Sequence, residues 1–196
     1  MSFRAPLQSL DLALAAAGLP DLMAAGYPDL DAETVSAVLD SAAAFAEAEL
    51  APLNRDGDRI GARFENGVVT GAPGFAQAYK AFAAQGWNSL SSDTAYGGQG
   101  LPKAMELAVF EMVHAANMAF GLCPMLTQGA IEALTLHGTE RQKRLGLPKL
   151  VSGEWTGTMN LTEPQAGTDL AAVTARAEPD GEGGYRITGQ KIYITW

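Results

Sequence analysis

The residues best suited to chemistry lie in the last quarter of the chain. Met159-Asn160-Leu161-Thr162-Glu163-Pro164-Gln165-Ala166-Gly167-Thr168-Asp169 runs from an apolar stretch into a turn of small and polar residues. Such a turn exposes hydroxyls and backbone N–H groups, a local nest suited to a phosphate or another anion. On these grounds alone a plain surface loop fits equally well. A second glycine cluster, Tyr96-Gly97-Gly98-Gln99-Gly100, has the small residues that let a backbone approach a phosphate. It follows no phosphate-loop pattern and lacks the Lys-Ser/Thr ending, so a structural loop is favoured. His114 reads as a satisfied structural histidine rather than a base. Met105, Met112 and Met118 read as gap-filling core residues before a flexible ligand surface.

Composition removes several classes of function. Cys123 is the lone cysteine, and the two histidines, His114 and His137, are far apart. An internal disulfide framework and a cysteine- or histidine-built metal centre are therefore not expected. The 196 residues carry a formal charge of −9, with 47% hydrophobic and 18% charged residues, the balance of a core-forming protein. Residues 1–62 hold ten acids against Arg4, Arg55 and Arg59, and so carry most of that charge. With a pI near 4.6, nucleic acid has no basic patch to bind, and anionic membrane surfaces are disfavoured. No stretch approaches the roughly 20 apolar residues of a membrane span, so no membrane insertion is expected. Leu12–Leu19 is apolar, but it is short, follows Asp11 and has only Arg4 upstream, a poor secretion signal. Cytoplasmic residence is the expectation.

The elements that must position the turn read mainly as helix. A short Ala/Leu helix over 7–17 stops at Gly18, with Pro20 beyond. A second helix starts at the N-cap Asp31, buries a stripe of Val35, Val38, Leu39, Ala42 and Ala46, and ends at Pro52. Its acids Asp40, Glu47 and Glu49 read as a solvated face. Residues 54–73 are rich in Gly, Asp and Asn, and Glu65-Asn66-Gly67 can close a small hairpin between Phe64 and Val68-Val69. Helices are expected at about 74–85 (Phe75, Tyr79 and Phe82 on one face), from Pro102 to about Phe120, and over roughly 124–136. A further helix opens with the capping box of Thr139 and Gln142. Beyond Gly153 the period changes from 3.6 to 2. Glu154–Leu161, Val173–Pro179, Tyr185–Thr188 and Lys191–Thr195 read as strands, with a turn at Asp180–Gly184. A domain boundary is expected near residue 152.

The order of residues in the turn carries more than its geometry does. Leu161-Thr162-Glu163-Pro164-Gln165-Ala166-Gly167-Thr168-Asp169 resembles the signature of the acyl-CoA dehydrogenase family: a hydrophobic residue, Ser/Thr, Glu-Pro, two residues, then Gly-Ser/Thr-Asp. The family's second block follows as Tyr185-Arg186-Ile187-Thr188-Gly189-Gln190-Lys191-Ile192-Tyr193-Ile194-Thr195. Upstream, Tyr96–Gly100 and Gly138-Thr139-Glu140-Arg141-Gln142-Lys143 resemble helical-domain landmarks of the family, so the resemblance covers residues 31–196. Gly98-Gln99-Gly100, Thr127-Gln128-Gly129-Ala130-Ile131 and Gly157-Thr158-Met159-Asn160-Leu161 are most similar to the branch with an extra N-terminal segment, which includes the 3-methylmercaptopropionyl-CoA dehydrogenases. The implied fold is mainly α. It comprises an N-terminal extension (1–30), a helical domain (31–152) and the first strands of an incomplete middle β domain (153–196).

The resemblance implies an FAD-dependent α,β-dehydrogenation of an acyl-CoA thioester. A glutamate takes the α-proton, the β-hydrogen leaves as hydride to flavin N5, and an electron-transfer flavoprotein accepts the electrons. It implies FAD contacts from Met159, Asn160, Leu161 and Thr162 along the polar edge of the isoalloxazine, and from Gly167 near the pyrophosphate. Thr168 would reach both FAD and the CoA arm of the substrate. Tyr193, Ile194 and Thr195 would lie against the ring, with the Thr195 hydroxyl near N5, where a donor stabilises arriving charge. Two positions depart from the family pattern: Asn160 stands where Gly, Ala or Cys is usual, and Tyr193 where many members have Trp. Glu163 is expected to be structural. The catalytic glutamate, further FAD contacts and much of a homo-oligomer interface would come from sequence beyond Trp196, so the chain alone is not expected to turn over. Helix residues around Met125–Gly129 line the acyl pocket by family position, with ordinary helix packing an equal alternative. A flavin oxidase on the same fold and a non-catalytic helical binding module with a vestigial flavin motif are the rival readings.

Overall fold

The structure is a computed structural model that describes residues 3–195. The first two residues of the expected N-terminal extension thus lie outside the described residues. The chain divides into two compact units, Met1–Gly157 and Thr158–Trp196.

The first unit is helical. Helix α1 (Leu7–Ala16) buries Leu10 and Leu14 and stops at Gly18, whose φ of +85° is left-handed and unstrained only for glycine. Pro20 does not mark the end of that structure. It lies in the first turn of α2 (Leu19–Gly26), where its missing N–H is not needed. Helix α3 (Ala32–Phe45) begins as expected, with the Asp31 carboxylate accepting from the Thr34 N–H at 2.7 Å. Leu39 and Ala42 are buried, while Val35 and Val38 pack at the core's edge.

Pro52 does not end this helix, contrary to expectation. A π turn (Ala46–Leu50) leads directly into α4 (Ala51–Ile60), and the Ala51 N–H reaches back five residues to the Ala46 carbonyl. The wider turn resets the hydrogen-bond register so that Pro52 falls in the first turn of α4, where no donor is required. Glu47 is not simply solvated. It accepts from Arg4 Nη1 at 2.6 Å and from the Ala5 N–H at 2.9 Å, fastening the N-terminal segment to this turn.

The hairpin forms between β1 (Arg63–Glu65) and β2 (Val68–Thr70), with Asn66 at φ +52° and Gly67 at +79° closing the turn. Helix α5 (Phe75–Ala84) follows. The loop after it is structural, as expected: a Cβ on Gly98 would stand 1.9 Å from the Ser92 carbonyl oxygen, so only glycine fits. Within that loop the Asn88 side-chain amide donates to the Leu150 carbonyl (2.6 Å), and the Asn88 main-chain carbonyl accepts from Gln128 Nε2 (2.7 Å).

One long helix to Phe120 is the expectation from sequence; two form. Helix α6 (Lys103–Ala116) ends at Asn117, which leaves helical geometry at φ −157° and caps α7 (Met118–His137). The buried Asn117 side chain accepts from the Phe120 N–H (3.1 Å) and donates to the Leu50 carbonyl of the π turn (3.2 Å). Helix α7 passes through Pro124, so the helix expected to start there begins six residues earlier and forgoes one ladder bond. Helix α8 (Glu140–Val151) opens with the full Thr139–Gln142 capping box. The core gathers around Phe82, whose ring lies 6.0 Å from Phe45, 6.2 Å from Phe110 and 5.6 Å from Phe120. Met105 and Met112 are core residues, but Met118 is 56% exposed.

In the second unit, β3 (Arg176–Pro179) and β4 (Tyr185–Thr188) pair antiparallel, Arg176 opposite Thr188 and Pro179 opposite Tyr185. The turn between them is built on Asp180, which accepts from the N–H groups of Glu182 and Gly184. The segments Glu154–Leu161 and Lys191–Thr195 are not strands. Each lacks a ladder partner among the described residues, and alternating residues make a strand only when a neighbour takes their backbone groups.

Asn117 joins two helices and the π turn through one buried amide. Asn117→Ala should lower unfolding stability by about 2 kcal/mol, through loss of a cap and an unsatisfied Leu50 carbonyl. Urea denaturation monitored by helical circular dichroism measures this.

Candidate functional site

The turn after Leu161 is organised around one buried carboxylate. Glu163 is 2% exposed, although it lies among exposed neighbours. Its backbone exchanges two hydrogen bonds with Ala166, each 3.0 Å, which folds Glu163–Ala166 back on itself. One carboxylate oxygen accepts from the Thr174 N–H (2.8 Å), the Thr174 hydroxyl (2.9 Å) and Gln165 Nε2 (2.5 Å). The other accepts from the Ala175 N–H (3.0 Å) and Lys191 Nζ (2.8 Å). The Lys191 ammonium and then the Thr174 N–H hold this carboxyl far below the usual glutamate range. Burial opposes that shift but does not overcome it.

Lys191 also donates to the Leu161 carbonyl at 2.9 Å, and the Ile192 N–H donates to the Thr162 carbonyl at 3.0 Å. Thr162 and the Tyr193–Thr195 segment, 31 to 33 residues apart in sequence, are thereby brought side by side. Tyr193 adopts φ +55°, uncommon for a side chain of its size, and is 88% exposed. Ile194 and Thr195 are half-buried beside it.

The other candidate residues have different surroundings. Gly167 and Thr168 follow the Glu163–Ala166 fold and are exposed. A Cβ on Gly167 would meet no atom of the chain within 4 Å, so nothing inside the chain requires glycine there. Met159 and Asn160 are exposed, and Asn160 accepts from the Thr158 hydroxyl. Among the described residues, the hydroxyls of Thr162, Thr168 and Thr195 make no hydrogen bond within the chain. Unengaged hydroxyls, the open space at Gly167 and the exposed Tyr193 ring are groups whose chemistry is compatible with the polar edge and face of a flavin.

In the first unit, Thr127 and Gln128 are accounted for by packing. The Thr127 hydroxyl donates to the Cys123 carbonyl and accepts from the Gly157 N–H, both at 3.1 Å. Met125 is 42% exposed, and a Cβ on Gly129 would meet nothing within 4 Å. His114 is only half satisfied, contrary to expectation: Nδ1 lies 2.6 Å from the Phe110 carbonyl oxygen, but the buried Nε2 has no hydrogen-bond partner among the described residues. Burial pushes the Cys123 thiol up to about 12, which keeps it protonated and unreactive at neutral pH. No group of residues that could hold a metal ion occurs among those described. No helix among them is long and apolar enough to cross a membrane.

Residues 32–154 match the acyl-CoA dehydrogenase, N-terminal domain. The chain belongs to the acyl-CoA dehydrogenase family. It is 47% identical over 170 residues to the 3-methylmercaptopropionyl-CoA dehydrogenase of Ruegeria pomeroyi, covering 87% of this chain and 29% of that protein. Butyryl-CoA dehydrogenase from Megasphaera elsdenii superposes with a TM-score of 0.70 at 25% identity, over 85% of this chain and 41% of its own. An acyl-CoA dehydrogenase from Bacillus anthracis, solved in complex with FAD, superposes equally well (TM-score 0.70) at 23% identity, over 86% and 27%. The chain thus spans about three-tenths of the length of the Ruegeria pomeroyi protein.

Among family members the Glu-Pro turn is read first as a signature; here its glutamate is a buried structural hub. Sequence reasoning placed Glu163 in a structural role but gave no role to Lys191, Thr174 or Gln165. A carboxylate in a turn of small residues needs donors, and Gln165 and Thr174 were the nearby amide and hydroxyl residues that could signal them.

Because the Glu163 carboxyl is lowered in the folded chain, its stabilisation is complete above the ordinary glutamate value of 4.5 and declines progressively as pH falls from there through the lowered value of the folded chain. Amide exchange at Thr174 and Ala175 should be slower in the wild type than in Glu163→Gln at neutral pH. The difference should begin to shrink as pH drops below about 4.5, where the opened state takes up a proton, and should vanish only below the much lower value of the folded carboxyl.

Proposed function

We propose that this chain supplies the helical domain and part of the flavin cradle of an FAD-dependent acyl-CoA dehydrogenase that removes α- and β-hydrogens from an acyl-CoA thioester. The observation that carries this reading is the Ile192–Thr162 hydrogen bond. It ties the backbone of Thr162 to the residue just before Tyr193, which supports a site shared by Thr162 and the Tyr193–Thr195 segment. Bound FAD would supply the hydride-accepting chemistry. Thr162, with the backbone of Met159 to Leu161, would bond the polar edge of the ring system. Tyr193 and Ile194 would pack against its face, and Thr195 would donate where negative charge accumulates. Gly167 would admit the pyrophosphate, and Thr168 would reach both the cofactor and the CoA arm.

Glu163 is unsuited to taking the α-proton. Its oxygens are occupied by five donors and its carboxyl is held ionised, whereas a base works best with a pKa near the working pH. The proton acceptor in this reading is a glutamate beyond residue 196. The helical domain would extend over 31–152 after an N-terminal extension (1–30), with the middle β domain beginning at 153. The 47% identity to a 3-methylmercaptopropionyl-CoA dehydrogenase favours a short acyl-CoA of that kind as substrate. An electron-transfer flavoprotein would be the electron acceptor, with the enzyme a cytoplasmic homo-oligomer.

Titration of FAD with the chain, followed by quenching of flavin fluorescence, tests this reading. Thr162→Ala and Thr195→Val should each weaken binding by roughly three- to tenfold, the worth of one hydrogen bond. The chain should not bleach bound flavin when an acyl-CoA is added. Saturable bleaching by an acyl-CoA would show that a proton acceptor is already present.

A further inference from the structure

We propose that Lys191 is the positioning residue of this unit, setting how the Ile192–Thr195 segment lies against Leu161 and Thr162. The proposal rests on the flavin reading for its purpose, but on this chain's own contacts for its geometry.

Three attachments precede Tyr193. At Gly189, φ is +155° and a Cβ would stand 2.5 Å from the Ala175 Cβ, so the backbone lies directly on Ala175. At Lys191 the ammonium bridges the Leu161 carbonyl (2.9 Å) and the Glu163 carboxylate (2.8 Å). At Ile192 the N–H takes the Thr162 carbonyl. The segment has no β-ladder to fix its register, so these attachments must do it. Of the three, only Lys191 contacts both Leu161, beside the cradle, and Glu163, which anchors the turn. Its side chain is only 25% exposed, which shields the pair from solvent screening. The next residue but one, Tyr193, turns into left-handed geometry and projects its ring outward. A side chain of that size keeps such a φ only where its surroundings impose it. The segment leading into Tyr193 is held by the lysine.

An ammonium has three donors, and two are used in different directions, towards a neutral carbonyl and a carboxylate. Lys191→Met keeps the length and apolar stem but removes both bonds. Lys191→Arg keeps the charge and the donors.

Amide exchange and the φ-dependent backbone coupling of Tyr193, both read by NMR on the chain, test the proposal. In Lys191→Met the Ile192 amide should exchange at least about tenfold faster and the Tyr193 coupling should change. The Glu182 and Gly184 amides, held by Asp180, should be unaffected and so report that the unit remains folded. Lys191→Arg should restore the wild-type pattern. FAD affinity should fall about tenfold in the Met variant and recover in the Arg variant. An unchanged Ile192 amide and Tyr193 coupling in Lys191→Met overturns the proposal. So does a changed segment with wild-type FAD affinity. A wild-type chain that fails to bind FAD overturns the flavin reading instead, and the exchange and coupling comparison then decides the role of Lys191 by itself.

Discussion

The second unit depends on a buried negative charge that must be satisfied. Ionised carboxylates are rarely taken out of water without several donors, and Glu163 recruits five from Gln165, Thr174, Ala175 and Lys191. Because those donors come from three places in the sequence, meeting the demand fixes the path of the chain. The turn closes at Ala166, the strand β3 is fed in past Thr174, and the segment after Gly189 is drawn back towards Leu161. The unit has little apolar interior. Both strands of its hairpin are exposed along their whole length, so hydrophobic burial does little to set its shape. Polar satisfaction takes over that task. A fully connected network of this kind specifies one arrangement more sharply than a loosely packed apolar contact would.

The first unit follows the opposite logic. Its organising surface is apolar, with Phe45, Phe82, Phe110 and Phe120 meeting edge to face or tilted. Its buried polar groups serve helix ends, changes of register and loop attachments. Asn117 both caps α7 and supplies the carbonyl of Leu50, at the end of a π turn whose irregular register would otherwise strand that group. Asn88 and Gln128 do the same for the loop between α5 and α6. Similarly, Glu106, 4% exposed within α6, is tolerated because Lys103 and Ser91 both donate to it. The two units thus place their polar networks differently: at the seams of an apolar core in one, and at the centre of the fold in the other.

This difference explains what could be read from the sequence. Helix periodicity and caps are local signals, so α3 from Asp31, α5, and α8 from its capping box were legible, as was the Asn66-Gly67 hairpin. Proline and asparagine misled wherever the outcome depended on a distant partner. Pro20 and Pro52 looked like stops because nothing local announces that a new helix or a π turn will absorb them. Asn117 looked like an ordinary helical residue because its partner, the Leu50 carbonyl, is 67 residues away. The strands expected at Glu154–Leu161 and Lys191–Thr195 had the right alternation but no neighbour, and alternation is necessary for a strand without being sufficient. The family and its fold class were legible because residue order in the two motif blocks is itself specific. The Lys191 contacts were not, because spacing does not tell which lysine will find which carboxylate.

The arrangement also separates anchoring from contact. Within the motif, Glu163 and Ala166 face inward and are consumed by the fold, while the hydroxyls of Thr162 and Thr168 and the space before Gly167 are uncommitted among the described residues. In the second block, Lys191 faces inward and Tyr193 outward. Alternation of this sort lets the contact positions vary without collapse of the scaffold that presents them. Tyr193 in place of the Trp found in many family members, and Asn160 in place of a small residue, both fall on the outward side. Substitution at such positions changes what is touched rather than how the turn is held, and the ionic hub beneath is the part with the least freedom to change.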